Sequence, residues 1–97
     1  MKIKKNPELI LRNVAGEAVL IPTGSFASKF NGMISLNGPA AFIWEQMENV
    51  ESREELVQKL LERYDVDEET ARRDVNGFLD TAIYVGYAMD EDAQAGA

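Results

Sequence analysis

The hydrophobic pattern changes period near residue 37. Before it, Leu9-Ile10-Leu11-Arg12-Asn13-Val14 and Ala18-Val19-Leu20-Ile21 are short runs of β-branched or large apolar residues. Ala15-Gly16-Glu17 supplies a turn between them, so the pair predicts a β-hairpin. Pro22 has no N–H to give a ladder and ends the second strand. Thr23 to Gly32 carries two glycines and small polar residues and predicts a loop. Met33-Ile34-Ser35-Leu36 then predicts a third short strand, completing an antiparallel meander.

After residue 37 the apolar positions recur at helical spacing, and three helices are predicted, each with a start signal. Asn37 is placed to cap the first, with Pro39 tolerated in its opening turn ahead of Ala40 to Met47. Ser52-Arg53-Glu54-Glu55 has capping-box spacing, with a hydroxyl at the cap and a carboxylate three residues on. Leu56, Leu60 and Tyr64, with Val57 and Leu61, form the apolar stripe of the second helix. Asp67-Glu68-Glu69 opens the third, where carboxylates favour the positive end of the helix dipole. Its stripe is Ala71, Val75, Phe78, Leu79 and Ala82, with Gly86 as its stop and Tyr87-Ala88-Met89 as a short extended segment. Three strands followed by three helices predict an α+β domain with the helices covering one face of the sheet. The 97 residues fit one domain, with a core over about residues 8–89 and a frayed polar tail over 90–97.

Composition narrows the function. The chain has no Cys and no His, which removes disulfides, thiolate nucleophiles, imidazole bases and the usual zinc ligands. The net charge of −7 is divided unevenly. Residues 1–36 hold five basic and two acidic side chains, +3, and residues 37–97 five basic and fifteen acidic, −10. A helical half this acidic opposes binding to nucleic acid or to an anionic membrane. No signal peptide or membrane-spanning run is visible, so a cytoplasmic location is expected.

Most candidate chemistry has a structural explanation. Asp65 to Glu69 begins like a calcium loop, but Thr70 and Asn76 stand where an EF-hand needs Gly and a bidentate Glu. Glu54/Glu55 and Glu68/Glu69 are adjacent pairs at helix starts, solvated rather than poised for acid–base work. Gly24 and Gly32 lack phosphate-loop spacing. Trp44 and Phe42 suit a core. Arg72-Arg73 near the start of the third helix raises a winged-helix DNA reader, against which the acidic surroundings argue.

Two features resist a structural explanation. The third strand, Met33 to Leu36, is an edge with neither charge nor proline, a template for an added peptide strand. The third helix carries Ile83, Tyr84 and Val85 beyond its core stripe. Positions 72, 76, 79 and 83 form a neighbouring stripe that would wall a groove beside that strand, or else enlarge the core or meet a second copy.

The segment Gly32-Met33-Ile34-Ser35-Leu36-Asn37-Gly38-Pro39-Ala40-Ala41-Phe42-Ile43-Trp44 resembles the LN-x-x-A-x-x-x-W hallmark of the PqqD family (coenzyme PQQ synthesis protein D). Tyr64 to Ala71, with Asp74-Val75 and Phe78-Leu79, resembles that family's third-helix entry, and the similarity runs from about residue 8 to about 89. The family ordinarily closes that helix with a polar stretch and Ala-Gly-Leu, whereas this chain has Ile83-Tyr84-Val85-Gly86-Tyr87.

The resemblance implies a small winged-helix-like domain, without catalysis or cofactor, that binds the leader of a ribosomally made precursor peptide. Such a domain presents the leader to a modifying enzyme, often a radical SAM enzyme, in the making of PQQ or of another modified peptide. The leader docks as an added strand, which by position assigns peptide binding to Met33, Ile34, Ser35 and Leu36. Arg72, Val75, Asn76 and Leu79 would form the helix wall, with Arg72 meeting an acidic leader residue. No nucleic-acid or membrane partner is implied. The alternative readings are a winged-helix DNA-binding regulator and a carboxylate-based enzyme, and pairing of the free strand with a second copy would give a homodimer.

Overall fold

The computed structural model describes residues 2–30 and 32–91. In chain order the elements are β1 (Ile3–Lys5), β2 (Leu9–Val14), β3 (Glu17–Pro22), α1 (Gly24–Lys29) and β4 (Ile34–Leu36). There follow α2 (Gly38–Gln46), α3 (Arg53–Arg63), α4 (Glu68–Val85) and β5 (Ala88–Asp90). The predicted meander is the sheet β2-β3-β4, antiparallel throughout, with Leu11 opposite Leu20 and Leu20 opposite Ile34.

Alternation along these strands sends Leu9, Leu11, Leu20, Ile34 and Leu36 towards the helices. They meet Ile43, Trp44 and Met47 of α2 and its C-cap, Leu56, Val57 and Leu60 of α3, and Ala71, Val75, Leu79 and Ala82 of α4. Burying each large apolar side chain contributes about 1.5–3 kcal/mol, so this layer of helices on one sheet face is what holds the fold. Trp44, 3% exposed, is a core residue, and the Lys5 ammonium lies 5.6 Å from its ring centroid.

The three long helices start where the caps predict. Ala40 N donates to Asn37 Oδ1 (2.8 Å), Glu55 N to Ser52 Oγ (3.1 Å) and Thr70 N to Asp67 Oδ1 (2.7 Å). Glu55 reaches back to accept from Glu51 N at 2.9 Å, one residue before the cap. Gly86, at φ 102°, ends α4 in the left-handed region, and both Gly86 N and Tyr87 N donate to Ala82 O.

Two elements depart from the sequence reading. The expected loop after Pro22 contains the helix α1, whose exposed N–H groups are capped from the turn that leads into β2. Glu8 accepts from Ser25 N and Phe26 N, both at 3.0 Å, and from Ser25 Oγ. Gly24 permits this approach, since a Cβ there would collide with the Glu8 carboxylate. Phe26 and Phe30 then stack on one another and meet Tyr87 edge-on, with centroids 5.8–6.2 Å apart. The second departure is the two-stranded sheet of β1 and β5, with Ile3 opposite Asp90 and Lys5 opposite Ala88. Ile3 and Ala88 are buried, so the core extends beyond the expected start at residue 8. Of the expected tail, Asp90 belongs to β5, and residues 92–97 lie outside the described residues.

Candidate functional site

β4 hydrogen-bonds to β3 on one side and to no other described strand on the second. Its free edge therefore presents main-chain donors and acceptors in register with nothing. Ile34 and Leu36 are half-buried and point into the core, while Ser35 and the preceding Met33 are exposed, Met33 by 60%. Of the four residues assigned from sequence, Ile34, Ser35 and Leu36 form this charge-free edge, and Met33 precedes the strand.

The helix residues assigned with them are not brought to that edge. Val75 and Leu79 are 0% exposed and belong to the core beneath the sheet, with no surface left for a ligand. Arg72 and Asn76 lie on the flank of α4 that packs on α3. Arg72 holds Glu54 and Glu68, the latter at 2.9 Å, and Arg53 donates to Asn76 Oδ1 at 3.0 Å and to Asp80 at 2.8 Å. At 100° per residue the opposite flank carries Asp74 and Phe78. These two, with Asn37, Pro39, Ala40 and Ile43, line a cavity of about 190 Å³ beside the residue that follows β4. The wall next to the end of the strand is therefore Asp74 and Phe78, one flank round from the stripe read in the sequence. The apolar period located the buried line of α4, but nothing local to the helix says on which side α3 lies.

The electrostatics agree with that division. The Arg72 guanidinium is raised above its ordinary range by its hydrogen bonds to Glu54 and Glu68, and the same bond to Arg72 holds Glu54 below the usual carboxylate value. Arg73 lies 3.7 Å from Glu69. Both cations of α4 are therefore paired with carboxylates at the helix surface.

A larger hollow of about 540 Å³ lies under the β2–β3 turn, lined by Asn13, Glu17, Ser35, Leu36 and Gly38 among others. The smaller cavity is the one with an aromatic wall, Phe78. Among the described residues no polar or charged side chain is buried, and no three His, Cys, Asp or Glu side chains converge as metal ligands. No described helix is long and apolar enough to cross a membrane. The described residues at this place are an unpaired strand edge and, past its end, the side chains of Phe78 and Asp74.

Two solved structures share this fold. One is a lasso peptide synthetase B1 complexed with the leader peptide, at TM-score 0.73 and 22% identity, covering 93% of this chain and 100% of that one. The other is TbiB1 in complex with the TbiA(β) leader peptide, at TM-score 0.66 and 22% identity, covering 88% of this chain and 93% of that one. No curated protein matches the sequence significantly. The family model for coenzyme PQQ synthesis protein D (PqqD) matches residues 17–87, from the second strand of the hairpin to the turn after α4. That span includes the free edge and both walls of the cavity beside it, and the chain belongs to the PqqD family.

Proposed function

We propose that this chain is a non-catalytic adaptor that binds the leader of a ribosomally synthesised precursor peptide and presents it to a modifying enzyme. The peptide adds as a strand to Met33–Leu36. Its side chains on one face enter the cavity against Phe78, and those on the other lie over Ser35 and the outer face of the sheet. The observation that carries this reading is the free, charge-free edge of β4 with a cavity walled by Phe78 and Asp74 at its end. Main-chain hydrogen bonds supply affinity in such a complex and alternate side chains supply specificity. Membership of the PqqD family supports the role, and both similar structures hold leader peptides. A radical SAM enzyme is the partner that the family suggests, and the modifying reaction belongs to that partner.

A DNA-reading winged helix would need a positive recognition face. On α4 the two arginines are instead bound to carboxylates.

The test is a titration of the isotope-labelled chain with the leader segment of the precursor peptide encoded beside its gene, followed by amide NMR. Shifts concentrated at residues 33–36 and around 74–78 are expected. Shifts confined to other surfaces would refute docking at β4. No shift with any neighbouring leader would refute the adaptor role.

A further inference from the structure

The cavity at the end of β4 has one charged wall residue, Asp74. Its side chain is half-exposed, and its carboxylate has no hydrogen-bond or ion-pair partner among the described residues. The helix itself cannot neutralise it. The positions three and four residues away, which are its neighbours on the helix surface, are Thr70, Ala71, Gly77 and Phe78. The nearest cations in sequence, Arg72 and Arg73, are turned to Glu54, Glu68 and Glu69. The contrast is specific to this position, because the other carboxylates near the start of α4 have work in the fold. Asp67 caps the helix, and Glu68 and Glu69 hold the arginines. Asp74 faces the cavity instead, between Phe78 and the first turn of α2.

We propose that Asp74 is a cation-selecting position of the groove. The leader segment that docks on β4 presents a lysine or arginine to the Asp74 carboxylate, at a fixed spacing from a large apolar residue seated against Phe78. This rests on the adaptor reading above and adds a chemical class to it. It also reverses the charge that Arg72 alone suggests, since the ligand-facing charge of α4 is negative. A strand added to β4 alternates its side chains, so the two residues facing the cavity are two positions apart. The preferred motif is then a basic residue and a large apolar one at spacing i, i+2. The acidic helical half of the molecule adds long-range attraction for the same ligand.

The experiment is a selection of 12-residue peptides from a random library by mRNA display, on the full chain and on its D74N and D74K variants. One winning sequence is then resynthesised with Lys, Gln or Glu at the implicated position, and its affinity is measured by fluorescence anisotropy. NMR on the labelled chain confirms that the winner shifts residues 33–36. On the unaltered chain, Lys is expected to bind about 2- to 5-fold more tightly than Gln, the range of a partly exposed ion pair. The preference should vanish in D74N, reverse towards Glu in D74K, and shrink in 0.5 M salt. Winners that shift residues 33–36 but show the same charge preference on all three proteins would overturn the Asp74 assignment and leave the adaptor reading standing. Peptides that never shift 33–36 would overturn both.

Discussion

Gly77, Phe78 and Leu79 are consecutive on α4 and answer to three different forces. Gly77 is exposed and nothing lies within 4 Å of where its Cβ would be. Gly77→Ala should therefore add about 1 kcal/mol of stability through helix propensity alone. In thermal unfolding that is a rise of about 4–8 °C, with peptide affinity unchanged. Leu79 is fully buried, so Leu79→Ala should cost about 2–5 kcal/mol in urea titration. Phe78→Ala should cost less stability and more peptide affinity, because Phe78 is half-buried at the cavity wall. The opposite ranking of the last two in affinity would return the groove wall to the stripe of Arg72, Asn76 and Leu79. The caps at Asn37, Ser52 and Asp67 were readable because a cap is a contact between residues three apart. The division of α4 into a flank on α3 and a flank on the cavity was not, because period fixes the phase of a helix and not its neighbours.

α1 shows what an element owes to a distant residue. Six residues that include Gly24 and two serines do not sustain a helix in water, and the expectation of a loop followed from that weakness. Glu8, on the segment leading into β2, supplies the missing cap. Its hydrogen bonds to Ser25, with a further bond from Phe26 N and the nearby Lys29 charge, hold its carboxyl below the ordinary value of 4.5. A lowered carboxyl stabilises the folded state above the unfolded value, and this is lost as pH falls through the lower folded value. On acidification below about pH 4.5, the Ser25 and Phe26 amides should lose protection from hydrogen exchange. Glu8→Gln should remove that pH step, whereas an unchanged step in the variant would assign it to another group. β4 makes its own prediction at this scale. Residues of an added strand direct their main-chain groups alternately towards and away from the neighbouring strand. N-methylation of the bound peptide at every second residue should abolish binding in one parity and be tolerated in the other. Equal tolerance in both would rule out strand addition.

At the scale of the whole molecule, the two ends of the described chain close on each other. β1 pairs with β5, Asn6 N donates to Tyr87 O and its side-chain amide to Gly86 O, and Glu91 N donates to Lys2 O. Ile3, 3% exposed, packs into the same core as α2 to α4. Ile3→Ala should therefore lower stability by about 2–5 kcal/mol in a single cooperative transition. A separate early transition would show that β1 and β5 unfold independently of the core.

The hairpin, the third strand, the three long helices with their caps, and the buried lines of α3 and α4 were legible along the chain. All of these rest on period, turn residues and contacts within a few positions. The sequence also carried the family, because Leu36-Asn37, Ala40 and Trp44 set a strand end, a cap and a core residue at fixed spacing. Only the folded chain made Gly24 to Lys29 a helix, gave Ile3 to Lys5 a strand partner more than eighty residues away, and paired Arg72 with Glu54 and Glu68. Each of these depends on a charge or a hydrogen-bonding edge met across the fold. For the same reason only the folded chain left Asp74 unpaired beside the open strand.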